Sequence, residues 1–130
     1  MFTAPASTHN WFKLWPLIGC MAAIFWLSVI KAPGLRFSDH WFWDNIDKFG
    51  HALAYAVLCT SGCWSCKSMS KEKKTSSVQI LSISCFSFFY GLSIELLQHF
   101  LPHRSFDLFD ILANAVGVSL GAVVFARFFR

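Results

Sequence analysis

Polar side chains of the kinds that bind ligands or transfer protons recur at helical spacing in this sequence. Asp47, His51 and Tyr55 are four residues apart, so an α-helix would place them along one face. Two more polar groups with helical spacing follow toward the C-terminus: Glu95 with Gln98, then Asp107 with Asp110 and Asn114. If the three helices are neighbours, these side chains converge on one polar pocket.

Two kinds of catalytic or metal chemistry suit this pocket. His51 with one carboxylate could act as a general base and acid, because imidazole changes charge near neutral pH. His51 with Glu95, Asp107 and Asp110 also offers nitrogen and oxygen ligands for a divalent metal, although the ligands come singly from different helices. These four residues are the catalytic candidates, and the residues alone do not decide whether the protein is an enzyme.

Basic residues near the same acids suit a third kind of ligand. Lys48 and Arg104 could bind the phosphate of a lipid headgroup or of a lipid-linked sugar. The alternative for the whole group is a network of salt bridges and hydrogen bonds that fixes helix register and binds nothing. His99 and His103 are expected at the membrane interface, outside the pocket.

The composition indicates the elements that position these side chains. Of the 130 residues, 55% are hydrophobic and 14% are charged, whereas about a quarter is charged in soluble domains. Four apolar stretches approach the roughly 20 residues that span a bilayer as a helix. They lie near residues 11–30, 47–66, 76–100 and 107–129. We therefore expect an all-α integral membrane protein, one domain over residues 1–130, folded as a bundle of four transmembrane helices.

The basic residues predict the orientation of such a bundle. If the chain crosses four times, seven of the eleven Lys and Arg residues fall on one side: Lys13, Lys67, Lys71, Lys73, Lys74, Arg127 and Arg130. The positive-inside rule makes that side the cytoplasm, with both termini there, and the polar pocket then opens outward. The same rule explains the formal charge of +4 without nucleic acid. We expect a multi-pass protein of the cell inner membrane.

Two spaced patterns resemble the VanZ-like family of small integral membrane proteins. The first is DKxxHxxxY, from Asp47 to Tyr55, and the second is ExxQxxxPxRxxDxxDxxxNxxGxxxG, from Glu95 to Gly121. Together they cover roughly residues 47–121 with no departure in spacing, and the first helix carries none of the pattern. The family takes its name from a protein that lowers susceptibility to teicoplanin, a lipid-bearing glycopeptide antibiotic, and it supplies no mechanism or cofactor to transfer.

The outward-facing pocket and the resemblance together predict a protein that recognises or modifies an envelope component, either a lipid headgroup or a lipid-linked glycan. The resemblance also implies an effect on teicoplanin susceptibility. The alternative is a non-catalytic scaffold or assembly partner, in which Gly117 and Gly121 pack against a partner helix. The expected ligand-binding residues are Asp47, Lys48, His51, Tyr55, Glu95, Gln98, Arg104, Asp107, Asp110 and Asn114.

Overall fold

The chain is all-helical in the part that the structure describes. This structure is a computed structural model, and it describes residues 11–30, 40–102 and 106–130. A short 3-10 segment, Trp11–Leu14, leads into the first of four α-helices. The helices are α1 (Trp15–Val29), α2 (His40–Met69), α3 (Ser77–His99) and α4 (Leu108–Phe128). The all-α prediction is confirmed.

The helix α2 begins earlier than the sequence suggested. We expected a start near residue 47, where the apolar stretch begins, but the helix starts at His40. The intervening sequence, HWFWDNI, contains no proline or glycine and so has no residue that breaks a helix. The prediction was set by the length of an apolar span, whereas the helix continues past the end of that span.

Side-chain caps define where α3 and α4 begin. At the start of α3, the Gln79 backbone N–H donates to Ser76 Oγ over 3.2 Å, and the Ser76 N–H donates to Gln79 Oε1 over 2.9 Å. This reciprocal pair is a capping box. At the start of α4, the Phe109 N–H donates to Asp107 Oδ1 over 2.8 Å. Both caps satisfy backbone donors that the first turn of a helix leaves free.

The helix α2 lies at the centre of the bundle, and α4 makes its most extensive contact with it. Two glycines of α4 allow this approach. A Cβ atom at Gly117 would overlap the backbone carbonyl oxygen of Ala52, and one at Gly121 would overlap that of Ala56. Glycine at four-residue spacing is a known way for membrane helices to approach closely. Gly117 and Gly121 therefore pack against another helix of the same chain.

The helix α3 is tied to α1 by two side-chain hydrogen bonds. Tyr90 Oη donates to the Met21 carbonyl oxygen over 2.7 Å. Gln98 Nε2 donates to the Ser28 carbonyl oxygen over 3.3 Å, nearer the other end of both helices. The bonds join α1 to α3 at two levels, so all four helices are connected within one bundle.

The outer surface of the bundle is apolar, and its interior contains polar side chains. Phe49, Leu53, Phe89 and Val123 are among many large apolar residues that face outward. Exposed apolar area of this extent marks contact with lipid or with another protein. Three described helical segments are long and apolar enough to cross a membrane: Trp11–Val29, Ser77–His99 and Leu108–Phe128. The longer α2 does not meet that criterion among the described residues, because it contains more charged and polar side chains.

Candidate functional site

His51 lies at the centre of the predicted polar group. It occupies α2 one turn after Asp47 and one turn before Tyr55, and its side chain is 14% exposed. Tyr55 lies deeper in the bundle and is 1% exposed. The four-residue spacing therefore places a polar stripe along α2 that runs from the surface into the core, as expected.

One nitrogen of the His51 ring faces buried partners on α3 and α4. Nδ1 lies 3.1 Å from Asn114 Oδ1 and 3.6 Å from Glu95 Oε1. Asn114 is 1% exposed and Glu95 is fully buried. With Asn114 Oδ1 as the acceptor, Nδ1 carries the ring proton and donates it. Three helices thus meet at one side of a single imidazole.

The other ring nitrogen faces two aspartates. Nε2 lies 4.0 Å from Asp47 Oδ2 and 3.9 Å from Asp110 Oδ2. Asp110 is buried on α4, whereas Asp47 has a side chain that is 55% exposed at the edge of the site. These distances exceed a hydrogen bond, so the three groups enclose a space without touching one another.

A second ion pair lies at the edge of the site. Lys48 Nζ is 3.5 Å from Asp107 Oδ2, and both side chains are about one third exposed. Asp107 also caps α4 through its other carboxylate oxygen. This carboxylate therefore has two partners that are separate from His51. Arg104, which the sequence also assigned to the site, lies outside the described residues.

Several buried polar atoms of the site have no hydrogen-bond partner among the described residues. They are both carboxylate oxygens of Glu95, Oδ1 of Asp110, Nδ2 of Asn114 and the hydroxyl of Tyr55. Most buried polar groups in proteins do have partners, and an unpartnered carboxylate in a membrane bundle is costly. Such atoms are the ones that a ligand, an ion or a proton would satisfy.

A cleft opens beside the site between α1, α2 and α3. Its volume is about 200 Å³. Its polar residues are Ser28, Asp47, His51, Tyr55 and Gln98, and its apolar or small residues are Ile24, Leu27, Gly50 and Ala54. The lining therefore combines polar and apolar side chains, as expected for the binding of an amphiphilic molecule.

The contribution of α1 to this cleft was missed in the sequence, which placed no site residue in the first helix. Ile24, Leu27 and Ser28 of α1 all line the cleft. The one available signal was Ser28, a polar residue near the end of an otherwise apolar helix. Ile24 and Leu27 have the same character as the lipid-facing residues around them, so no sequence signal separates them.

Gly91 was missed as well. A Cβ atom there would lie 2.8 Å from Cε1 of Tyr55 and 3.1 Å from Nδ2 of Asn114. The missing side chain therefore makes room for two residues of the site. Its position one helical turn before Glu95, on the same face of α3, was a usable signal.

His99 lies apart from the cluster. Its ring contacts Phe100 and Phe106, with centroid distances of 5.6 and 6.3 Å. His103 lies outside the described residues. The structure describes the side chains of two histidines, His51 and His99. Of these two, His51 is the one that lies near acidic side chains.

Comparison with known proteins connects these residues to a family. The family model described as VanZ/LLP1 matches residues 5–130, almost the whole chain. The chain belongs to the VanZ/LLP1 family. The resemblance seen in the two spaced patterns is therefore confirmed, and the membrane assignment gains a second line of support beside the three apolar helices.

A curated relative of this VanZ/LLP1 protein is known from Schizosaccharomyces pombe. It is uncharacterized protein C11E3.10, 36% identical over 102 residues. The match covers 78% of this chain and 60% of the relative, so the chain spans about three fifths of the length of the curated relative it matches. No solved structure matches the chain.

The VanZ/LLP1 patterns coincide with the site in space. The first pattern supplies His51 and its neighbours on α2, and the second supplies Glu95, Asp110 and Asn114, which surround the imidazole. Gly117 of the second pattern lies against the backbone of α2. The roles of these side chains in ligand binding stay predictions.

Proposed function

We propose that this VanZ/LLP1 protein crosses the membrane four times and recognises or modifies an amphiphilic envelope component, either a lipid headgroup or a lipid-linked glycan. The observation that carries the proposal is the mixed lining of the cleft beside His51. Ile24, Leu27 and Ala54 offer apolar contact to an acyl chain, and His51 with Asp47 offers partners to a polar headgroup. An occupant with both parts would use both kinds of contact.

The four-crossing topology is supported by the packing of α2. His51, in the polar stripe of this helix, lies near Glu95 on α3 and Asp110 on α4. Phe49, Leu53 and Val57 on the same helix face outward. A helix can span lipid when its polar residues are covered by neighbouring helices. We place the termini in the cytoplasm and the cleft on the opposite side, in the inner membrane of the cell, on the basis of the Lys and Arg distribution.

Native mass spectrometry of gently extracted protein tests lipid recognition. We expect the wild-type chain to retain a co-purified lipid and the Gly50→Leu variant to lose it, because the new side chain would enter the cleft. Gly50 has open space around its Cβ position, so the variant should fold normally. The matched control is Gly19→Leu, which also has open space but lies outside the cleft.

Equal lipid retention by wild type and Gly50→Leu would contradict the proposal. Loss of lipid in Gly19→Leu as well would show that general disturbance of the surface, not the cleft, governs retention. A lipid lost only in Gly50→Leu would identify the chemical class of the ligand by its mass.

The enzyme reading is favoured by one further observation. The His51 ring has carboxyl groups near both nitrogens. If Nε2 accepted a proton, the positive charge of the ring could be balanced by Glu95, which lies near Nδ1. Such an arrangement suits general acid–base catalysis on the headgroup. Incubating purified protein with a total lipid extract, with and without added divalent metal, tests it. A product that forms with wild type and is absent with His51→Gln would support a hydrolase or transferase.

The alternative function is a non-catalytic scaffold. Gly117 and Gly121 already contact α2 within the chain, so a partner helix would bind elsewhere on the apolar surface. If the protein is a scaffold, the His51→Gln variant should retain full function. A change in teicoplanin susceptibility on expression of the wild-type chain, lost in His51→Gln, would instead link the site to the resistance effect for which the family is named.

A further inference from the structure

Three potential metal ligands converge at the exposed side of the His51 ring. His51 and Asp47 come from α2, and Asp110 comes from α4. One ligand atom from each lies within 4.8 Å of the others. The set differs from the one expected from sequence. It includes Asp47, and it leaves out Glu95, which faces the other ring nitrogen, and Asp107, which pairs with Lys48.

The hydrogen bonding of the ring sets the state of its second nitrogen. His51 Nδ1 donates to Asn114 Oδ1 over 3.1 Å. In the neutral ring, Nε2 then presents a lone pair to the carboxylates of Asp47 and Asp110. A lone pair facing two carboxylates is repulsive unless a metal cation or a proton lies between them. Metal-bound histidines in proteins show this arrangement, with the other ring nitrogen held by an oxygen acceptor.

The charge around the ring also favours a cation. The carboxyl groups of Asp47, Glu95 and Asp110 lie within 4.0 Å of the His51 ring, and that of Asp107 lies beside Lys48. Charges that lie close together within a bundle are poorly screened, so a cation near these groups would stabilise their ionised forms.

A second observation comes from Asp110 itself. The residue is 7% exposed, and its Oδ1 atom has no hydrogen-bond partner among the described residues. Its other oxygen is 3.9 Å from His51 Nε2, beyond hydrogen-bond distance. A buried carboxylate aimed at the shared space therefore lacks the partner that would offset its burial.

We propose that Asp47, His51 and Asp110 together bind one divalent transition-metal ion, with Zn²⁺ as the reference probe. One imidazole and two carboxylates form a ligand set that suits such an ion. Ligand atoms at about 2.1 Å from a tetrahedral ion are about 3.4 Å apart. The observed distances are 3.9 and 4.0 Å to His51 Nε2 and at most 4.8 Å between any two ligand atoms, so they would have to shorten by about 0.5 to 1.4 Å. The exposed Asp47 side chain can supply most of this movement.

The proposed ion would lie at the entrance of the cleft, because Asp47 and His51 line it. A fourth coordination position would therefore point toward any molecule bound there. The metal site does not depend on the proposed function, since it can be measured without any lipid or any activity.

Metal content of the purified full chain tests the site. We would dialyse the detergent-solubilised protein against Zn²⁺, remove free metal and measure zinc per chain by elemental mass spectrometry. We expect about one Zn²⁺ per wild-type chain, with affinity reduced at least about tenfold in Asp110→Asn and His51→Gln, since even outer contacts alter metal affinity by that much.

Asp107→Asn is the matched control. It removes one carboxylate from the same neighbourhood but keeps an amide that can cap α4, and it leaves all three ligands in place. We expect it to retain zinc within about twofold of wild type. An equal loss of zinc in Asp107→Asn and Asp110→Asn would overturn the proposal, because binding would then reflect general negative charge.

Two further outcomes also decide the matter. Wild-type protein that holds no more zinc than the His51→Gln variant would overturn the proposal and favour a protonated ring that pairs directly with the aspartates. If Asp110→Asn fails to fold by circular dichroism, Asp47→Asn replaces it, since that side chain is 55% exposed. Retention of full zinc binding by a folded Asp47→Asn protein would equally reject the three-residue site.

Discussion

Replacing Gly117 with alanine would test whether the site depends on the close packing of α2 and α4. The new Cβ atom would overlap the Ala52 carbonyl oxygen and lie 2.8 Å from its carbonyl carbon and 2.9 Å from its Cα atom. All three atoms belong to helix backbone, so no side-chain rotation removes the overlap. The two helices would have to separate.

Two opposing terms set the expected magnitude. Alanine is favoured over glycine within a helix by up to about 1 kcal/mol. Overpacking costs about 1–3 kcal/mol, and we take the upper end because the overlap is with backbone. The free energy of unfolding should therefore fall by about 2 kcal/mol, which for a chain of this size lowers Tm by about 6–12 °C.

Thermal unfolding in detergent, followed by far-ultraviolet circular dichroism, measures this change. The matched control is Gly50→Ala on α2, where no atom lies within 4 Å of the new Cβ position. The control should melt at or slightly above the wild-type temperature, since it gains helix propensity without overlap. The reasoning is refuted if Gly117→Ala melts with wild type, or if Gly50→Ala loses as much stability.

Three other substitutions give distinct expected results. Glu95→Gln replaces a fully buried ionisable carboxyl, whose oxygens have no hydrogen-bond partner among the described residues, with a neutral amide; it should raise stability by about 1–3 kcal/mol while reducing function, as measured by Tm and by the lipid assay. Tyr90→Phe removes the hydrogen bond to α1 and should lose about 1 kcal/mol, whereas Tyr55→Phe, whose hydroxyl has no described partner, should melt within about 2 °C of wild type. Asp107→Ala should cost about 1 kcal/mol through the lost α4 cap, and Asp107→Asn should restore it in the same melting experiment.

The helical stripes were predictable from the sequence because their spacing is local. Asp47, His51 and Tyr55 share a face of α2 by the period of the helix alone, and Asp110 with Asn114 share a face of α4 in the same way. Their meeting was an inference from common depth in the membrane, and the distances to His51 agree with it.

The division of partners around the ring was not predictable. The sequence grouped Glu95, Asp107 and Asp110 as equivalent carboxylates, whereas Glu95 faces Nδ1, Asp110 faces Nε2 and Asp107 pairs with Lys48. These differences depend on the rotation of each helix about its own axis. Side-chain type and spacing are the same for any rotation, so only the packed structure separates the three roles.

The apolar half of the cleft was hidden for a related reason. Ile24 and Leu27 of α1 resemble every lipid-facing residue of that helix, and they gain a role only because α2 places His51 and Gly50 opposite them. A membrane helix has similar apolar character toward lipid and toward an acyl-chain site. Polar residues therefore reveal such a site in a sequence, whereas its apolar lining residues cannot be distinguished from lipid-facing ones.

The packing of α2 against α4 and the chemistry of His51 are one structural feature. Asn114 lies one turn before Gly117 on α4, and its short amide reaches His51 Nδ1 because the glycine lets the two backbones approach. A larger residue at position 117 would move Asn114 outward and break its hydrogen bond with His51 Nδ1. The polar stripe of α2 is in turn covered by α4. The same glycine therefore permits both the covering of this stripe and the orientation of the imidazole that the proposed ion and ligand would meet.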